Sequence, residues 1–556
     1  MKLRDTLKHP AAFCCTVPAQ ARRGASYAPR APPVPEWTLS CRACYIMSAM
    51  TYETIIGLEI HAQLLTRSKM FCRCSADYAN APPNTHVCPI CMGMPGVLPA
   101  INRRAIECTV MTALALNCTI PRSTKFDRKN YPYPDLMKGY QISQYDEPIA
   151  VQGWIQLEAE GVSRRVTIKR VHLEEDVAKL LHRTAPSGES YSLIDVNRSG
   201  VPLMEIVSEP DMRAPEEARQ YLMKLRTILQ YLGVSTGNME EGSFRCDANI
   251  SIRPEGSSET LPKVEVKNMN SFKAVYRALE YEAVRQRKVA SEGGQLHQET
   301  RGWLDDKGIT HSQRSKESAH DYRYFPEPDL PPLALTEDWV KQIKAGLPEL
   351  AEARRERFES QYGLPLYDAS HLTNSKPVAD YFEACVAMAQ GAPGQKRAKS
   401  ISNWILGELA RWLNSAGIEI QQSKVTPAHL VELIDLVDGG VITRATAKEI
   451  LGEMFKTGRS PEEVMRQDAK KVVEASAQGS GISSATAQGL TQIGDASAIE
   501  AAVRDIIASN RQAVVDFKAG KEQALTFLVG QVMKATRGRA NPKSVSDIIR
   551  KELGAG

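Results

Sequence analysis

Hydrophobic and polar positions alternate strictly from Thr54 to Gln63. Ile56, Leu58, Ile60 and Ala62 fall on one side of the chain, and Gly57, Glu59, His61 and Gln63 on the other. A period of two predicts a β-strand, with a carboxylate and an imidazole on the face opposite an apolar one. That front suits a divalent cation or proton transfer. It equally suits a half-buried strand with a solvated outer face.

The pattern recurs downstream. Phe244–Arg253 places Phe, Cys, Ala, Ile and Ile on one face and Arg245, Asp247, Asn249, Ser251 and Arg253 on the other. Val264-Glu265-Val266-Lys267 alternates in the same way, His172–Asp176 ends a strand-like run in acids, and Leu203–Val207 sets Glu205 among apolar neighbours. Several strands of this kind predict a polar basin on one sheet face. Its carboxylates and His61 could hold Mg²⁺, which takes oxygen ligands. Arg245 and Lys267 could neutralise phosphate oxygens, and Asp247 joins them on the same pattern as a candidate nucleotide-binding residue, should ATP be used. Charge pairs across a purely structural sheet remain the alternative.

From Tyr52 to about Pro332 the text reads as strands and turns with few long helical patterns. The Pro-dense stretch Phe325–Pro332 then reads as a linker or a rigid strap. From about Leu333 the periodicity is helical. Leu350–Tyr362 reads as a charged amphipathic helix, and Trp404, Ile405, Leu409, Trp412 and Leu413 recur at helical spacing, as do Leu430, Leu433, Ile434 and Val437. Ala475–Gly489 is Gly-, Ser- and Ala-rich and reads as a hinge, and three short helices are expected after Gln492. Strands followed by helices predict an α+β body and separate helical domains. The expected divisions are residues 1–50, 51–345, 346–486 and 487–556.

Composition adds two points. The net charge of +5 belongs to residues 1–50, which hold seven basic and two acidic residues, leaving 63 of each sign beyond them. Nucleic-acid affinity therefore has to come from local patches. No apolar run is long enough to span a membrane. The Ala-, Pro- and Arg-rich leader reads either as a disordered segment ahead of a true start at Met47 or Met50, or as an organellar presequence, against which its poor helical amphipathicity counts.

The cysteines carry a sharper signal. Cys72-Arg73-Cys74 and Cys88-Pro89-Ile90-Cys91 are two close pairs separated by a loop, the spacing of a closed structural zinc site in a reducing compartment. Pro82-Pro83-Asn84 favours the reversal that joins the pairs, and Gly93 is expected to let backbone amides approach the sulfurs. Cys41 and Cys44 lack a second pair. Lys125–Asp135 interleaves bases and aromatics and could stack a nucleotide or serve as a packed structural loop. Lys534, Arg537, Arg539 and Lys543 cluster between two expected helices as a candidate RNA-backbone contact. There is no Walker A motif, glycine-rich kinase loop, Rossmann fingerprint or serine nucleophile elbow.

These strings, with Phe126–Asp135, Glu205–Asp211, Glu240–Asn249 and Tyr322–Asp329, closely resemble the GatB family, the B subunits of the aspartyl/glutamyl-tRNA(Asn/Gln) amidotransferases, over residues 52–553. The resemblance implies a cradle-like catalytic domain, an all-α domain and a small α-helical YqeY-like tail that grips tRNA, the YqeY-like region as a whole spanning about 405–553. It implies a heterotrimer in which a glutamine-hydrolysing amidase is the A subunit, joined by a small C subunit. Within it, ATP would phosphorylate the side-chain carboxylate of Glu-tRNA(Gln) or Asp-tRNA(Asn), and channelled ammonia would then displace phosphate. It further implies that Glu59, His61, Glu174 or Glu175, and Glu205 bind Mg²⁺, that the four cysteines hold structural zinc, and that the location is the bacterial cytoplasm, or a mitochondrion if the leader is a presequence. The competing expectation is a zinc-containing tRNA-binding scaffold without chemistry of its own.

Overall fold

The computed structural model describes residues 51–159, 161–314, 322–388, 394–467, 496–536 and 540–554. The leader, with Cys41, Cys44, Met47 and Met50, and the expected hinge at Ala475–Gly489 lie outside these residues. So do Arg537 and Arg539.

An eight-stranded sheet organises the N-terminal half. Its strands are β1 (Tyr52–Gln63), β2 (Ala150–Ala159), β3 (Val162–Glu175), β4 (Pro202–Ser208), β5 (Phe244–Pro254), β6 (Val264–Lys267), β7 (Glu299–Leu304) and β8 (Ile309–Arg314). They run in the order β8-β7-β6-β5-β1-β4-β3-β2, antiparallel except for the parallel pair β6/β7. The opening strand is therefore central, with β5 on one side and β4 on the other. Its apolar side chains Ile56, Leu58, Ile60 and Ala62 are buried in one core with Ile206, Val171, Ala248 and Val266 from neighbouring strands.

Three helices contribute to that core: α1 (Arg103–Ala115), α2 (Pro215–Leu232) and α3 (Phe272–Ser291). The expectation of few long helices in this half is corrected here. Their apolar stripes are clear in retrospect: Tyr221, Leu222, Leu225 and Leu229 on α2, and Val275, Ala278 and Leu279 on α3, are all fully buried. Each such large side chain contributes about 1.5–3 kcal/mol relative to exposure. The helix ends are also written locally. The Asn102 side chain accepts from Arg104 and Ala105 N–H at the start of α1, and Ser271 from Ala274 at the start of α3. Pro215, Glu216 and Glu217 open α2, and Gly233, in the left-handed region at φ 65°, closes it.

The Pro-dense stretch is a strap within this unit rather than a linker between domains. Phe325–Pro326 pairs with Asp127–Arg128, and Leu333–Ala334 with Ser123–Thr124. Glu327 is buried and accepts both arms of the Arg128 guanidinium, at 2.7 and 2.6 Å. The helix Glu337–Ala345 then packs Trp339 and Ile343 against the first core.

A second apolar core runs from Phe358 to Val464 and a third from Ile499 to Ile549. The expected helix at 350–362 is Ala351–Tyr362. The stripe at Trp404–Leu413 lies on a helix that widens into a π-turn at Ile405–Leu409, which resets the phase of its apolar face. Beyond residue 495 four helices are described, Ala496–Ser509, Arg511–Lys518, Glu522–Ala535 and Pro542–Glu552, rather than three. A break at Asn510 separates the first two. No helix among the described residues is long and apolar enough to cross a membrane.

The second core has a testable electrostatic edge. Arg354, itself buried, and Arg357 both bind Glu383, at 3.0 and 2.6 Å. Burial pushes the Glu383 carboxyl up, but these two guanidiniums outweigh it and hold it below the usual range. A lowered carboxyl contributes stability above its unfolded pKa and loses it as pH falls through the folded value. Glu383→Gln is therefore expected to be less stable than the parent at neutral pH. The gap should close in denaturant unfolding as pH falls below the usual carboxylate range and through the lowered value of Glu383. A gap that is independent of pH would rule out this ion pair as its source.

Candidate functional site

Strand register brings the ionisable residues together. His61 on β1 is paired with Glu205 on β4, which is paired with His172 on β3. Arg170, His172 and Glu174 alternate on β3, so all three share this face. The Glu205 carboxylate lies 3.3 Å from His61 Nε2, 3.4 Å from His172 Nε2 and 4.0 Å from Arg170. Glu174 lies 3.6 Å from His61 and accepts from Ser143 at 3.4 Å. Glu174, Glu205 and His172 are all buried.

These groups perturb one another strongly. Burial pulls the His61 imidazole down, but Glu205, Glu174 and Asp247 outweigh it and raise it to about 9. Burial likewise pushes Glu205 up, while His172 and His61 hold it well below the usual carboxylate range.

Glu59 sits one position along the same face. It is opposite Asp247 in register and accepts from Asn249 at 3.0 Å. The structure separates the alternatives Glu174 and Glu175. Glu175 points to the opposite side of β3, where it binds Lys138 and accepts from the Ile142 amide at 3.0 Å. Glu175 is thus placed apart from the other Mg²⁺ candidates.

The ATP candidates lie on the same sheet face but with their charges partly committed. Lys267 is 2.5 Å from Asp247 and 3.5 Å from Glu265. Arg245 is 3.2 Å from the buried Asp176, which also accepts from Gln63 at 2.7 Å.

Residues not singled out from the sequence complete the basin. The stretch Asp127–Asn130 forms a strand and divides its side chains. Arg128 goes to Glu327, whereas Lys129 lies 5.8 and 5.1 Å from the ring centroids of Tyr131 and Tyr322. Burial lowers Lys129, but the charges of Glu174 and Glu205 more than compensate, so it stays a cation. Tyr324 stacks on Tyr145 at 4.2 Å beside them. The signal for Arg170 and His172 was their place at every second position before Glu174. The signal for Lys129 was only its place in a base-and-tyrosine string.

The donor set fits a divalent cation. One atom each from His61, Glu174 and Glu205 can lie within 4.8 Å of one another. Adjacent octahedral ligands of Mg²⁺, at about 2.1 Å, stand about 3 Å apart. Arg170 Nε, His172 Nδ1 and Asn249 Oδ1, all buried, have no hydrogen-bond partner among the described residues. Orphaned polar atoms around one basin mark where a bound group or water belongs.

The four cysteines also converge. Their Sγ atoms lie within 4.8 Å of one another, with Cys88 and Cys91 at 3.9 Å. Tetrahedral zinc with Zn–S near 2.3 Å sets sulfurs about 3.8 Å apart. The Cys72 thiol, the Cys88 amide at 3.1 Å and the nearby Lys69 ammonium overcome burial and hold Cys91 down at about 5. Asn84, at φ 60°, makes the expected reversal. Gly93 has a different reason from the one expected. At φ +66° a Cβ there would strike Lys138 at 2.5 Å, so the glycine admits Lys138 and not the sulfurs.

Of the basic turn, Lys534 ends one helix and Lys543 opens the next, both exposed.

The chain resembles known proteins over most of its length. Residues 54–341 match the family described as the GatB/GatE catalytic domain, and residues 380–553 match the GatB domain. The chain is 57% identical over 509 residues to the B subunit of the aspartyl/glutamyl-tRNA(Asn/Gln) amidotransferase of Dehalococcoides mccartyi, covering 91% of this chain and 99% of the relative. It is 55% identical over 504 residues to the protein of the same name from Thermomicrobium roseum, and 51% identical to that of Caldanaerobacter subterraneus, at 91% coverage of this chain in each case. The chain belongs to the GatB family, the B subunits of the aspartyl/glutamyl-tRNA(Asn/Gln) amidotransferases, and is one component of a tRNA-dependent amidotransferase, a ligase-type enzyme.

Proposed function

We propose that the polar sheet face is the phosphoryl-transfer site of this amidotransferase. One observation carries the reading: Glu205, His61 and Glu174 converge in a buried cluster beside the cations Lys129 and Arg170. Buried carboxylates this close are costly unless a cation joins them. Mg²⁺, when bound by His61, Glu174 and Glu205 with Glu59 beside them, would offset charge on phosphate oxygens. Lys129 and Arg170 would orient those oxygens, and the tyrosines around Lys129 would wall the basin.

The side-chain carboxylate of Glu-tRNA(Gln) or Asp-tRNA(Asn) attacks the γ-phosphorus of ATP and ADP leaves. The carboxyl carbon now bears a phosphate leaving group. Ammonia from a glutamine-hydrolysing partner adds to that carbon, loses a proton and displaces phosphate, leaving an amide. The amidase and the small C subunit are the proposed partners. Zinc held by Cys72, Cys74, Cys88 and Cys91 would brace the adjoining loops without taking part.

The test is the complex reconstituted with its partner subunits and supplied with each misacylated tRNA in turn. ADP is expected to form only with a misacylated tRNA, before glutamine is added. Amide formation without ATP consumption would sink the reading, and the preferred tRNA is read from the same assay.

Lys534 and Lys543 are proposed to contact the tRNA backbone. Replacing both by glutamine is expected to weaken tRNA binding while leaving turnover at saturating tRNA unchanged. The slope of log affinity against log salt should fall by about 2. An unchanged salt slope would remove this assignment.

A further inference from the structure

Lys69 is fully buried, yet its charge is unmatched by any carboxylate among the described residues. Its Nζ donates to the His86 carbonyl at 2.8 Å and lies 3.5 Å from the Val196 carbonyl. An ammonium held only by neutral acceptors is expensive to bury. What stands beside it is the cysteine cluster. The Lys69 amide donates to the Cys74 carbonyl at 2.9 Å, in the turn that carries the first cysteine pair. Gly200 is wedged between the Lys69 stem and Cys91. A Cβ there would lie 3.5 Å from Lys69 Cδ and 3.7 Å from Cys91 Cβ.

Four thiolates around one Zn²⁺ carry two net negative charges. We propose that Lys69 is the internal counter-charge of that centre, and that it fastens the zinc loop to the turn at residues 196–201. The inference rests on the zinc reading above. Other bonds follow the same seam: Asn197 accepts from the His86 amide at 2.8 Å and donates to the Pro82 carbonyl at 2.7 Å. The turn continues toward the basin, because Gly200 donates to the Asp176 carbonyl and Asp176 to the Val201 carbonyl, each at 2.8 Å. Asp176 is the partner of Arg245. The zinc centre would thus steady the basin through Lys69, although no cysteine faces it.

The test uses the full chain in complex with its partner subunits. Metal analysis of the parent comes first, and absence of zinc there defeats the zinc reading itself. Zinc is then withdrawn by a competing chelator from the parent, Lys69→Gln and Lys69→Met. Glutamine can still donate to the His86 carbonyl but carries no charge; methionine does neither. Both variants are expected to release zinc at roughly ten- to a hundredfold lower chelator concentration. Once stripped of metal, neither should melt below the stripped parent, since each has lost an unmatched buried charge. Parent-like zinc retention in Lys69→Gln would overturn the proposal. So would equal destabilisation of the loaded and stripped forms, which marks a packing role only. If neither variant folds, an amine-acylating reagent on the parent decides, read by peptide mass. Lys69 should be protected with zinc and modified without it, and equal protection in both states would overturn the proposal.

Discussion

Glu205→Gln is expected to lower ATP-dependent amide formation by on the order of a thousandfold, equivalent to about 4 kcal/mol of transition-state stabilisation. The substitution keeps the shape of the side chain and removes its charge. In the parent, three carboxylates (Glu59, Glu174 and Glu205) face the cations Lys129 and Arg170. Without the charge on Glu205 the attraction of the site for a divalent cation falls. His61 also loses its nearest carboxylate. On the proposed reading, glutamine hydrolysis by the proposed amidase partner and tRNA affinity should remain within about twofold of the parent, because neither is assigned to the charge on Glu205. Single-turnover ADP formation with a misacylated tRNA measures the loss. Parent-like ADP formation would move the chemistry out of this chain and revive the scaffold reading.

Lys129→Met is expected to cost about a hundredfold in the same step, typical of removing one preorganised charge from a phosphoryl-transfer site. Its signature is a split. Lys129 lies near Glu174 and Glu205 and offsets their charge. Its removal should therefore tighten Mg²⁺ binding even as turnover falls. Titration calorimetry with Mg²⁺, run beside the turnover assay, separates the two effects. Loss of both would mark Lys129 as a structural cation that keeps the carboxylates in place.

The legible part of the site was the part written in a single strand. Glu59 and His61 alternate on β1, and Arg245, Asp247 and Asn249 on β5, so period two alone placed them on polar faces. That those faces are one face depends on β1 lying between β5 and β4, which no local pattern encodes. Glu174 and Glu205 stand out as acids in strand-like runs, and the family likeness gives them their role; Glu175 shows its limit, because adjacent acids in one string point to opposite sides of the strand. Lys129 stayed hidden because its neighbours in space, Tyr322 and Tyr324, are far away in sequence. The helices α2 and α3 were missed for a different reason. Their buried positions recur at helical spacing, but charged residues fill the positions between them, and the surrounding segments are strands. The closed cysteine quartet needed no such help, because its spacing is the geometry.

The strap at residues 325–334 has a consequence for how the protein is made. Arg128 and Glu327, which clamp it, are 199 residues apart. At about 5–20 residues per second, the ribosome needs roughly 10–40 s to deliver the second after the first. During that interval the nascent chain holds the Lys129 strand with neither Tyr322 and Tyr324 nor its pairing partner at Phe325–Pro326. On the proposed reading, the basin is therefore completed late in synthesis, once the strap has emerged. A message truncated before that point yields a chain whose β1 is already translated but whose basin lacks Tyr322 and Tyr324.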